Sequence, residues 1–232
     1  MAFARRSSLI TSVKLLDRIN ASISYPNLLK LDESRAIVDI PKSGSSFLKS
    51  FLISSGQARI SISPDLPHTA VFSRIPRLTF LSAFSIHAFL RDPIERFCSV
   101  VREKIVFNSH YRSGWSPYLL SFGKNVYSLN DVDKMISDFV NAPLSVLDKH
   151  IRPQSFFLAP YFSSSRFSLA NSSSIRPFLI DCGFKPDTFA SEAVSLVTDR
   201  TLFQPTDLSL KSLDLLRLFY RSDYELMDII GF

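Results

Sequence analysis

The chain has 232 residues, 46% of them hydrophobic, and its 27 Lys and Arg against 21 Asp and Glu give a formal charge of +6. That apolar content builds a core and excludes a disordered chain, while no run reaches the ~18 apolar residues of a membrane span. The positive residues are scattered, with Arg5 and Arg6 the longest basic run, so a small anionic partner fits better than nucleic acid.

From the N-terminus, Leu9, Val13, Leu16 and Ile19 recur at helical spacing, which predicts an amphipathic helix; a transit peptide is the alternative for this basic, serine-bearing start. A strand over 36–40 runs into a helix over 45–54 that buries Phe47, Leu48, Phe51 and Leu52 and stops at Gly56. A short strand is expected in ARISIS (58–63). In SAFSIHAFL (82–90), Phe84, Ile86, Ala88 and Leu90 alternate with Ser85, His87 and Phe89 as a strand does.

RDPIER then carries the marks of a helix start: Asp92 as cap, Pro93 at the first helical position, Glu95 placed for a capping box. Ile94, Phe97, Val101 and Ile105 follow on one face. After Asn130 another helix presents Val132, Met135, Ile136, Phe139 and Val140. SSSRFSLANSSS (163–174) reads as a surface loop, FLID (178–181) as a strand, and 210–229 as one final helix.

There is no internal repeat and no composition break, so 1–232 is expected to form a single domain. Alternating strands and helices predict an α/β fold of P-loop-like, three-layer type, a central mostly parallel sheet with helices on both faces. Such sheets bind ligands at the carboxyl ends of their strands. Two turns fall there.

The first, in IVDIPKSGSSFL (37–48), has the parts of a phosphate loop: Gly44 for close backbone approach, hydroxyls from Ser43, Ser45 and Ser46, a point charge on Lys42, and the start of a helix. It is not a Walker A loop, because its lysine precedes the glycine by two positions. A plain tight turn is the structural alternative. The second turn places Arg91 at a strand end and Ser99 two turns into the next helix, suited to gripping another phosphate. Its structural alternative is a salt bridge from Arg91 or Arg96 to Asp92 or Glu95. Cys98 and Cys182 have neither metal nor disulfide-framework spacing and point to a reducing compartment, read as cytoplasmic.

With these residues in view, IVDIPKSGSSFLKSFL resembles the 5′-phosphosulfate loop of sulfotransferases, and FLRDPIERFCSVVREK resembles their 3′-phosphate segment, some 50 positions later. DKHIRPQSFFL (148–158) is similar to the H-x-x-P-Q segment of Golgi carbohydrate sulfotransferases, and LFYRSDYELM to their tyrosine-aspartate ending. The resemblance spans about 190 residues. Serines at 43 and 46 stand where threonine is frequent, which keeps the hydroxyls. The anchor and stem of the Golgi enzymes have no counterpart in the sequence, which suggests a soluble relative.

The resemblance implies 3′-phosphoadenosine 5′-phosphosulfate as co-substrate, held by Lys42, Ser43, Gly44, Ser45, Ser46, Arg91 and Ser99, with no metal required. The acceptor is then a glycan or a small hydroxyl compound, and oligomeric state stays open. Lys42 would steady the departing phosphate oxygen. Transfer to a hydroxyl also calls for a base, and His68 stands 23 positions before Arg91, a remove similar to that of the catalytic histidine in hexuronic 2-O-sulfotransferases. His150, Arg152 and Gln154 are candidates for the acceptor side. A glutamate base remains open, with Glu33 nearest the loop in sequence, while His87 reads as a packed strand residue and His110 as an exposed one. Two rivals stand beside this reading: a P-loop kinase-like phosphotransferase, and a non-catalytic module that binds a nucleotide or a glycan.

Overall fold

The structure, a computed structural model, describes residues 28–56, 59–60, 70–71, 84–106, 129–144, 147–162, 164–185 and 202–231. In chain order these form β1 (Leu28–Lys30), β2 (Arg35–Val38), α1 (Ser45–Ser54), β3 (Arg59–Ile60), β4 (Ala70–Val71), β5 (Ser85–Leu90), α2 (Pro93–Val101), α3 (Val132–Phe139), α4 (Gln154–Leu158), β6 (Phe167–Asn171), α5 (Ile175–Asp181), α6 (Leu210–Phe219) and α7 (Arg221–Ile229). The chain divides into two compact units. One draws on Ser24–Leu90 and Phe157–Leu196, the other on Arg91–Phe156 and Val197–Phe232.

The first unit is built on a four-stranded sheet in the order β1-β2-β5-β6. β2, β5 and β6 run parallel, with Ile37 beside His87 and His87 beside Ser168, and β1 is antiparallel to β2. Ile37 and Phe89 on one face pack with Leu48, Phe51 and Leu52 of α1 and with Ile175 and Leu179 of α5. The alternate residues Ala36, Val38, Ile86, Ala88 and Leu90 are equally buried, so both faces of the central strands are covered, as a parallel sheet requires. The mixed α/β class and the mostly parallel sheet agree with the sequence reading.

Two expectations about strands are corrected. FLID is not a strand: it lies in α5, where Ile175 and Leu179, four apart, turn the same face inward. The fourth strand is instead FSLAN, inside the serine-rich segment read as a loop; its residues are only half-buried, so polar side chains are tolerated there. The strand expected in ARISIS is described over Arg59–Ile60 and pairs antiparallel with β4 in a separate two-stranded sheet. The amphipathic helix read over 9–19 lies outside the described residues.

The second unit is helical. Its core joins Phe97, Val100 and Val101 of α2, Ile136 and Phe139 of α3, and Leu216 and Tyr220 near the C-terminus, all at or below 1% exposure. Each such large side chain contributes roughly 1.5–3 kcal/mol. The start of α2 follows its sequence signals, since the Asp92 carboxylate accepts the Glu95 N–H at 2.8 Å and Pro93 opens the helix.

The final helix is not continuous. It breaks at Tyr220 (φ −92°, ψ 17°), a fully buried residue whose hydroxyl donates to the Ile151 carbonyl at 2.7 Å. That bond fixes the phenol on Ile151 and satisfies its buried hydroxyl. Among the described residues no helix is long and apolar enough to cross a membrane, and no group of three or more His, Cys, Asp or Glu converges.

Candidate functional site

In the sheet unit the parallel strands β2, β5 and β6 end on the same side of the sheet, at Val38, Leu90 and Asn171. After Val38 the chain makes a turn over 41–44 and enters α1 at Ser45. Two residues in that turn have left-handed backbones: Lys42 (φ 67°) and Gly44 (φ 86°). For lysine this conformation costs about 1 kcal/mol or more, and such residues cluster where a ligand is held. Gly44 is required twice over, because a Cβ there would lie 2.3 Å from Ile175 Cδ1. Ser43 is buried, Ser45 half-buried and Ser46 exposed.

Beside this turn lies Asp39, 3% exposed, which no sequence signal had singled out. Its carboxylate accepts the Ser45 hydroxyl at 2.5 Å and pairs with Lys49 Nζ at 2.6 Å. The hydroxyl proton of Ser45 is therefore committed to Asp39, and an anion at the turn would meet the first-turn N–H groups of α1 rather than that proton. Lys49 offsets the carboxylate charge, so the turn still suits an anion. The donor set of Lys42, Ser46 and the helix start fits a phosphate or sulfate group.

The helical unit carries the second turn. Arg91 stands between the last β5 residue and the cap of α2, where neither a strand ladder nor a helix fixes its backbone. Gln154 does so: its Oε1 accepts the Arg91 N–H at 3.0 Å and its Nε2 donates to the Arg91 carbonyl at 2.7 Å. The Arg91 guanidinium is 3.6 Å from the Glu95 carboxylate, with both side chains partly exposed. Such a pair contributes at most ~1 kcal/mol. Ser99 is 9% exposed in α2.

Comparison with protein-family models, with curated proteins and with solved structures gives no match.

The segment DKHIRPQ is held from behind. Asp223, fully buried, accepts the N–H groups of Gln154 at 2.7 Å and of Ser155 at 2.8 Å. Burial pushes the Asp223 carboxyl up, and the Ser155 N–H, the Arg96 charge and the Gln154 N–H pull the other way. Arg96, also fully buried, hydrogen-bonds Tyr220 and lies in the field of Asp223 and Asp148. The tyrosine-aspartate ending and the P-Q segment, far apart in sequence, thus form one polar scaffold.

His150 is oriented by Asp148, whose Oδ1 lies 2.6 Å from Nδ1 and accepts the His150 backbone N–H at 2.7 Å. Burial pulls the imidazole down to about 4 despite the carboxylate, so the ring is neutral at pH 7. Arg152 Nε donates to the Leu147 carbonyl at 2.8 Å and its guanidinium lies 5.2 Å from the Phe156 ring centre; it is 8% exposed and Gln154 is 0% exposed. His68 lies outside the described residues.

An open groove of about 730 Å³ runs beside the start of α2, with Asp92, Glu95, Arg217 and Tyr224 among its lining residues. Burial pushes the Cys98 thiol up to about 12, which removes it as a nucleophile.

Two residues escaped the sequence reading. Asp148 was legible in principle, since D-x-H is the spacing of a carboxylate that bonds the backbone two residues on. Asp39 had no comparable local signal, because its partner Ser45 lies six residues away. Asp223 falls in the tyrosine-aspartate ending, but its pairing with Gln154, about seventy residues away, had no local signal.

Proposed function

We propose that this chain is a sulfotransferase that moves a sulfuryl group from 3′-phosphoadenosine 5′-phosphosulfate to an acceptor hydroxyl, with carbohydrate as the acceptor class. The observation that carries the reading is the turn over 41–44. It is glycine-bearing, places its one lysine in a left-handed backbone, opens a ten-residue helix, and follows a strand whose parallel neighbour ends one residue before Arg91.

In this reading the N–H groups at the start of α1 and the Lys42 ammonium hold the 5′-phosphosulfate, with Ser43 and Ser46 completing the turn. Arg91 and Ser99 take the 3′-phosphate. Sulfuryl transfer resembles phosphoryl transfer in needing in-line positioning and charge stabilisation more than covalent help. Lys42 steadies charge on the leaving phosphate oxygen as the sulfur–oxygen bond breaks. His68 is the proposed acceptor of the hydroxyl proton, and His150 and Arg152 belong to the acceptor side.

A nucleotide-dependent phosphotransferase is the second reading, favoured by a buried carboxylate, Asp39, against the first hydroxyl of the helix. Lys49 at 2.6 Å already neutralises that carboxylate, which supports the first reading over the second.

Thermal-shift titration separates them. Stabilisation by adenosine 3′,5′-bisphosphate and none by ATP with magnesium is expected; the reverse order refutes the sulfotransferase. Turnover of the donor over a panel of glycan and small hydroxyl acceptors then distinguishes an enzyme from a binding module.

A further inference from the structure

We propose that Gln154 is a positioning residue for the 3′-phosphate site: by pairing both backbone groups of Arg91, it fixes the direction from which that guanidinium reaches the ligand. The inference rests on the sulfotransferase reading and extends it to a residue that touches no ligand.

Arg91 lies between two regular elements. Leu90 is the last residue of β5 in register with β6, and α2 does not begin until Pro93. Its N–H and C=O are therefore outside both regular elements. A glutamine amide is the side chain that copies a peptide group, one acceptor and one donor in a plane. Gln154 presents both to one residue, at 3.0 and 2.7 Å.

The glutamine is itself buried and anchored. It is 0% exposed, and its backbone N–H is taken by Asp223, also 0% exposed, at 2.7 Å. A chain of contacts from Asp223 through Gln154, both buried, to the half-buried Arg91 leads from the C-terminal helices to the arginine assigned to the 3′-phosphate. The reading of Gln154 as an acceptor-side residue asks the same amide to face a ligand. Here its two polar atoms are engaged with Arg91.

A positioning role differs from a merely structural one in what it moves. Loosening the scaffold weakens all ligands alike, whereas misdirecting Arg91 weakens only those with a 3′-phosphate. The test measures dissociation constants of adenosine 3′,5′-bisphosphate and adenosine 5′-monophosphate by calorimetry on the full chain, for wild type, Gln154→Met, Gln154→Asn and Tyr220→Phe. Gln154→Met removes both bonds to Arg91; Gln154→Asn keeps an amide too short to span them. Tyr220→Phe disturbs the same scaffold through Ile151 without touching Arg91.

Wild type is expected to prefer the bisphosphate, and each Gln154 variant to lose about tenfold of that preference, one to two net hydrogen bonds' worth, with the monophosphate unchanged. Tyr220→Phe should keep the ratio. An unchanged ratio in whichever Gln154 variant folds overturns the inference, as does an equal loss in Tyr220→Phe. A wild type with no preference removes the sulfotransferase reading and this inference together, whereas an intact wild-type preference with unaffected variants removes the inference alone.

Discussion

Asp148 holds His150 twice, through its backbone N–H at 2.7 Å and its ring Nδ1 at 2.6 Å. The second partner selects the tautomer that carries a proton on Nδ1 and leaves Nε2 as the acceptor atom. Burial keeps the ring uncharged, at about 4 against an ordinary 6.5, with Asp148 opposing the shift and Lys104 and Lys149 assisting it. Between those two values the unfolded chain binds a proton that the folded chain refuses. This contribution to stability is therefore complete above pH 6.5 and is lost as pH falls toward 4, by up to about 3 kcal/mol. His87, also lowered by burial, acts in the same sense. Urea unfolding at pH 7, 5.5 and 4.5 should show a steeper acid loss in wild type than in His150→Gln. Parallel curves would remove His150 from the account.

Gly44 and Ile175 should prove coupled. Gly44→Ala meets a left-handed backbone, costing about 1 kcal/mol, and a methyl contact on a side chain that is 4% exposed. Ile175→Val removes the Cδ1 atom at 2.3 Å and leaves Cγ1 at 3.8 Å. In a double-mutant cycle by denaturant unfolding, the pair should recover about 1 kcal/mol relative to the sum of the singles. Strict additivity would mean that Ile175 swings aside freely.

Asp39 is expected to matter for the turn's shape more than for its charge. Asp39→Ala removes the Lys49 and Ser45 pairings and should destabilise the chain by about 2 kcal/mol. Asp39→Asn, which keeps an acceptor for Ser45, should retain more of the stability. If both variants match wild type in chemical denaturation, the pairings seen at 2.5 and 2.6 Å carry no net weight.

Lys42 offers a separation of stability from function. Lys42→Gly relieves the strain of a left-handed lysine and should raise stability by up to about 1 kcal/mol, unless the gain is offset by the greater freedom of glycine when unfolded. Lys42→Ala keeps the strain. Both should depress sulfuryl transfer far more than adenosine 3′,5′-bisphosphate binding, because the ammonium is needed most as the leaving oxygen gains charge. Equal losses in turnover and binding would take that role from Lys42.

How far the sequence could be read follows the range of the interactions involved. The helix over 45–54 and the start at Asp92 and Pro93 were legible because propensity, capping and glycine placement are settled within a few residues. FLID failed for the same reason in reverse: three apolar residues in a row have no period, and the packing of Ile175 and Leu179 on the sheet is what makes the segment a helix. FSLAN was hidden by Ser168 and the serines flanking it, polar residues that a partly exposed strand accepts and a core strand would not.

The amino-acid sequence by itself determined the α/β class, the turn chemistry of PKSGSS and the arginine at the end of β5, since each depends on neighbours along the chain. Only the tertiary structure decided that Asp39 would tie Ser45 to Lys49, that Tyr220 would break the last helix, and that Asp223 would seat Gln154 behind Arg91. Those are pairings of buried polar groups, and a buried polar group takes whichever partner the fold brings within three ångströms. Sequence separation places no limit on that choice.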